Sequence, residues 1–194
     1  MHWAWVVDTE PATEPLSLSD AKDHLRITDA TEDSLITAYI VVARKWVENY
    51  CDRSIPSQTL KAYFDRFPYD GKCILLPRSP AISITTVEYV DTDGNSQTWG
   101  SKNYTIDVIN EPSRFDTDYN VSYPSTRSQN NAVTITYTAG YSTVPVDIVH
   151  ALKMIVGQLY NNREGECPQQ LYTPDLSVKA LLAPYRLRYR GPWL

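Results

Sequence analysis

The stretch from Thr31 to Cys51, TEDSLITAYIVVARKWVENYC, constrains this chain more than any other, because it holds no residue that stops a helix. Leu35, Tyr39, Val42, Trp46 and Tyr50 recur at steps of three or four, and Ile36, Ile40, Ala43 and Val47 widen that stripe on one side. An apolar stripe of this length needs other elements to cover it, so the helix implies a core larger than itself. Thr31 suits the N-cap. Glu32 and Asp33 suit the first turn, where the helix dipole favours carboxylates, and Pro56 closes the run.

The covering elements can be read around it. A short helix precedes it, with Ser17 or Ser19 as N-cap and Ala21, Leu25 and Ile27 on its buried side. Pro145 suits the first position of a second long helix, whose stripe is Ile148, Leu152, Ile155 and Leu159 and which ends before Gly165. Ser177 caps a last short helix carrying Val178, Leu181 and Leu182, stopped by Pro184.

Between these helices the apolar period falls from near four to two, so residues 57–140 read as five to seven short, mostly antiparallel strands. Ile82–Val90 and Val133–Tyr137 alternate most cleanly, and Asp91-Thr92-Asp93-Gly94 is a hairpin turn. Residues 110–131 are polar and turn-rich, which predicts a projecting loop or hairpin. The N-terminal arm is extended, since Pro11 and Pro15 block a helix; its Trp3 and Trp5 pack either on their own domain or on a neighbour. The expected architecture is α+β: a helical core (16–56 and 144–185, two long and two short helices) interrupted by an antiparallel β insertion (57–140). A C-terminal arm (186–194) ends a single domain of 1–194.

Chemistry finds little foothold. His2, His24 and His150 are far apart, no metal-ligand spacing occurs, and phosphate-loop and nucleophile motifs are absent. The expectation is no catalytic residue, no metal, no cofactor and no enzyme. Cys51, Cys73 and Cys167 read as free thiols of a reducing compartment. No run is long and apolar enough to span a membrane, and the N-terminus does not read as a signal peptide. A net charge of −5 argues against a DNA-wrapping or membrane-surface protein, but not against one that lets DNA pass. Fourteen Tyr and five Trp, against three Phe, suit protein interfaces. The tail alternates Arg186, Arg188 and Arg190 with Tyr185, Tyr189 and Trp193 before ending at Leu194. It reads as an arm docking on a protein partner, ahead of a solvated terminus or a nucleic-acid contact.

Several segments, taken in order, resemble the head–tail connector (adaptor) proteins of long-tailed phages, prophages and gene transfer agents. They are Pro15–Ile27, Glu32–Ile36, Ala43–Cys51, Leu76–Pro80 ahead of the Ile82–Val90 strand, Tyr137–Tyr141, and Val144–Ile148 with its helix through Glu164. The resemblance implies a structural protein of the virion neck, present in the host cytoplasm during assembly. It implies a ring, commonly a dodecamer, beneath the portal protein, with a stopper or tail-completion protein as the next partner and DNA passing through the lumen without sequence-specific contact.

On this resemblance, Arg186, Arg188, Tyr189, Arg190, Trp193 and Leu194 are expected to bind the portal. Arg44, Lys45, Glu48, Trp3 and Trp5 are expected at the subunit interface. Glu32 and Asp33, or Asp116 and Asp118, would face the lumen. The alternatives are another neck component, which the two long helices disfavour, or a ligand-binding module with a β recognition subdomain.

Overall fold

The computed structural model describes residues 3–69, 72–163 and 176–187. They form two compact units, each with its own core: one drawn from Thr13–Pro56 and Tyr141–Arg186, the other from 3–12, 57–140 and Leu187.

The first unit is helical: α1 (Leu18–Leu25), α2 (Asp33–Cys51), α3 (Val146–Asn161) and α4 (Leu176–Leu182), followed by a 3-10 turn over Ala183–Tyr185. Ser17 is the N-cap of α1; its Oγ accepts from the Asp20 N–H at 3.0 Å. Arg26 and Asp52 adopt the left-handed conformation at the C-caps of α1 and α2, returning their N–H groups to the last turn. Pro145 is the N-cap of α3 rather than its first residue, and α4 begins before Ser177.

The start of α2 also differs from expectation. Glu32, not Thr31, is the N-cap, and its side chain makes no capping bond. Its carboxylate is engaged elsewhere, accepting from Tyr160 Oη and pairing with Arg163 Nη2 at 2.7 Å. The buried face of α2 is Ile36, Ile40, Ala43, Val47 and Cys51, so the flank of the predicted stripe is its centre; Val42 is 52% exposed. Ala21, Ile148, Leu152, Val156, Val178 and Leu182 complete that core.

The second unit holds eight strands, all paired antiparallel. Five form a sheet in the order β1 (Trp3–Thr9), β2 (Gln58–Phe64), β8 (Val133–Ala139), β4 (Ala81–Val90), β5 (Ser96–Thr98). The other three, β3 (Ile74–Leu75), β7 (Arg114–Thr117) and β6 (Tyr104–Asp107), form a smaller sheet. Strict alternation of burial along β2 directs Leu60, Ala62 and Phe64 inward, as period two requires. They meet Val87, Phe115, Val133, Ile135 and Tyr137 in one apolar cluster.

The N-terminal arm is thus the edge strand of its own sheet. Trp5 is half-buried against that cluster, with the Arg78 guanidinium 4.3 Å from its ring centroid. Residues 110–131 do not project throughout. Arg114–Thr117 is the second strand of a hairpin with β6, and Phe115 is fully buried. Tyr123 stacks on Phe67 at 5.1 Å between centroids. Burial, with the Asp116 charge adding to it, raises the Tyr123 pKa and holds its hydroxyl neutral.

Candidate assembly surfaces

The longest described helix, α2, carries a buried charge network. Arg44 and Glu48, one turn apart on α2, are 3% and 7% exposed. Arg44 Nε donates to both carboxylate oxygens of Glu14, at 3.1 and 2.8 Å, and Arg44 Nη1 donates to Glu48 Oε2 at 3.0 Å. The other Glu48 oxygen accepts from the Ile55 N–H at 3.0 Å. Buried charges survive only when paired and hydrogen-bonded, and here the pairing ties the entry of α1 and the exit of α2 to one guanidinium. Arg44 and Glu48, expected from the sequence at the subunit interface, are thus buried in their own unit. Their polar groups are withdrawn into their own unit, whereas Lys45 and Asn49 lie on the exposed side of the helix.

A second cluster fixes the C-terminal segment. Arg53, 3% exposed, donates from Nε to the Tyr185 carbonyl and from Nη1 to Tyr141 Oη at 3.0 Å. Tyr185 Oη donates to Asp147 Oδ2 at 3.1 Å, at the start of α3. The Arg186 guanidinium lies 5.2 Å from the Tyr50 ring centroid. Arg188, Tyr189, Arg190, Trp193 and Leu194 lie outside the described residues, as does the side chain of Trp3. Neither Arg53 nor Tyr141 stood out in the sequence as an anchor. An arginine just after a helix end, with no acidic residue at helical spacing, gives no local sign of a carbonyl partner over a hundred residues away.

The acidic candidates have partners of their own. Asp33 pairs with Lys22 at 2.6 Å. The hydrogen bond from Tyr160, then that from Arg163, holds the Glu32 carboxyl below its usual range. Asp116 and Asp118 accept from the backbone N–H of the residue that follows each, at 2.7 Å in both cases. The Asp91–Gly94 turn is a hairpin turn: Asp91 Oδ1 accepts from the Asp93 and Asn95 N–H groups at 3.0 and 2.8 Å, and Gly94 has φ +93°. Among the described residues no group of His, Cys, Asp and Glu is placed to hold a metal ion, and Cys51 and Cys73 are free thiols. No described helix is long and apolar enough to cross a membrane.

Comparison with known proteins gives these surfaces a context. Residues 15–97 match a family model described as the phage gp6-like head–tail connector protein. This stretch carries the connector signature. It takes in α1, the whole of α2 with the Arg44–Glu48 pair, and β2 through most of β5. Beyond it, no curated protein matches the chain by sequence.

Likeness in fold to solved structures extends further than that signature. A chain in the neck of an empty gene transfer agent particle computed with C6 symmetry is 20% identical, with a TM-score of 0.76 over 97% of this chain and 98% of that one. A chain in the virion of a native gene transfer agent particle gives 21% identity and 0.77, over 96% and 97%. A chain in the neck of a native particle computed with C12 symmetry gives 21% and 0.69, over 97% and 98%. At such identities the likeness establishes the fold. That fold includes β1, β8, α3 and α4, which the family model leaves out.

Proposed function

We propose that this chain is a non-enzymatic structural subunit of a phage-type neck. Copies of it form a ring that joins the portal vertex of the capsid to the tail and continues the DNA channel. The observation that carries this reading is the shared fold, over nearly the whole of both chains, with a neck chain of a particle computed with C12 symmetry. The connector signature in residues 15–97 supports it independently.

Its partners are then other copies of itself, the portal protein on the capsid side, a stopper or tail-completion protein on the other, and DNA passing without sequence-specific contact. The Arg186–Leu194 arm is assigned to the portal. Arg53 and Asp147 hold Tyr185 and so fix the base from which that arm leaves. Lys45 and Trp5 remain the interface candidates that the fold leaves at least partly accessible. Immobilised portal protein from the same particle is expected to capture the purified chain, and absence of capture contradicts the proposed junction.

A further inference from the structure

A charged cleft of the sheet unit plays no part in this reading. It has a volume of about 350 Å³, and its lining includes Arg66, Tyr69, Thr126, Arg127, Ser128 and Asn130. A second recess of about 280 Å³ shares Arg66, Tyr69 and Thr126 with it and is floored by Phe67 and Tyr123.

The two guanidinium groups define its chemistry. Both arginines are exposed, and neither forms an ion pair with a described residue. The Arg66 guanidinium lies 4.4 Å from the Tyr69 ring centroid, and its Nη1 donates to Tyr69 Oη at 3.1 Å. Stacking of this kind orients a guanidinium without neutralising it. The cleft's carboxylate, Asp65, accepts from the Asn131 backbone N–H at 3.1 Å. The Arg127 guanidinium lies against Gly94, where an added Cβ would sit 2.5 Å from Nη1. The chain has 23 acidic and 18 basic residues, and among the described lining residues this cleft holds two arginines against one carboxylate, the reverse of that balance.

We infer that this cleft binds a phosphate group, and that its size and its tyrosine suit a nucleotide unit of DNA. Guanidinium groups match the oxygens of a phosphate, and the Thr126 and Ser128 hydroxyls in the same lining supply further donors. A phosphate alone would fill a small part of the space. The Tyr69 ring, in a residue 64% exposed, offers a face on which a base can stack. Contacts of this type carry no sequence preference. They would give an acidic chain a local grip on passing DNA.

The test is titration of the purified chain with a fluorescent DNA duplex, a single strand of the same length, inorganic phosphate and a glutamate-rich peptide, each over a range of salt. DNA binding is expected to weaken several-fold in Arg66→Ala and in Arg127→Ala. The slope of log affinity against log salt should fall by roughly one unit for each. Lys102→Ala, which removes an exposed charge outside the cleft, is expected to leave both unchanged. A preference for the single strand, reduced in Tyr69→Ala, supports the stacking role. Binding of inorganic phosphate without DNA would assign the site to the free anion. Equal affinity in the wild type and both arginine variants overturns the site, and a peptide that competes as well as DNA overturns the phosphate assignment. Ring assembly is measured separately, so its failure and the failure of this site are distinguishable.

Discussion

Glu48→Ala lowers the melting temperature by about 10 °C, the largest loss expected from any single polar substitution in the helical unit. The change strips three things at once. Arg44, 3% exposed, loses the acceptor at 3.0 Å on its Nη1. The Ile55 N–H loses its acceptor where the chain leaves α2, in a fully buried residue. A space the size of a carboxylate opens beside Val47 and Cys51, both buried. An orphaned buried donor costs about 1–3 kcal/mol, and breaking one arm of a buried ion pair costs about 3–5 kcal/mol. Because Arg44 keeps its Glu14 carboxylate, the low ends apply, and a total near 4 kcal/mol corresponds to roughly 10 °C for a chain of this length.

Glu48→Gln keeps an acceptor for Ile55 and most of the volume, so its loss should be smaller by about half. Lys22→Ala breaks the part-exposed Lys22–Asp33 pair and is expected to cost under about 1 kcal/mol. Thermal unfolding of the three variants measures the order. Equal losses would mean that the Arg44–Glu48 pair is no more than a surface ion pair.

Deleting residues 186–194 abolishes capture by the portal protein and leaves the melting temperature within about 2 °C of the full chain. The cut removes the arm to which Arg188, Tyr189, Arg190, Trp193 and Leu194 belong. A few arginine and aromatic anchors commonly carry most of an interface's affinity, so their joint loss should exceed a hundredfold. The fold should survive because the cut spares Tyr185, whose carbonyl Arg53 holds and whose hydroxyl bonds Asp147. Arg186 itself approaches the Tyr50 ring, and an exposed cation–π pair of this kind is worth only about 0.5–1 kcal/mol. Unchanged portal capture by the shortened chain contradicts the assignment. A large fall in melting temperature would move the arm's role from docking to folding.

Where periodicity spoke alone, the fold was legible. The helix over α2, the second helix after Pro145 and the alternation along β2, β4 and β8 follow from spacing that needs no distant partner. Where the partner is distant, the reading failed in a consistent way. Arg44 and Glu48 read as a polar face because Glu14 and Ile55, which justify their burial, lie outside the helix. Trp3–Thr9 read correctly as extended, but whether it packs on its own domain stayed open because its strand partner, β2, is some fifty residues away and no turn announces the pairing.

Residues 110–131 read as polar because their two anchors, Phe115 and Tyr123, stand apart among charged and small residues. The ring cluster that receives them, Phe67, Trp99 and Tyr104, comes from three other segments. The same limit hides the site. Arg53 meets Tyr185 and Tyr141 only through the fold, and Arg66 meets the Thr126–Asn130 segment only because β2 pairs with β8. The strand order of the five-stranded sheet, with the last strand in sequence at its centre, leaves no local trace either.

The central claim, that copies of this chain close into a ring at the portal, is tested most directly by native mass spectrometry of the purified chain with and without portal protein. The predicted result is a ring of about twelve copies, either alone or on addition of the portal. A strict monomer that stays monomeric in the presence of portal protein would contradict it.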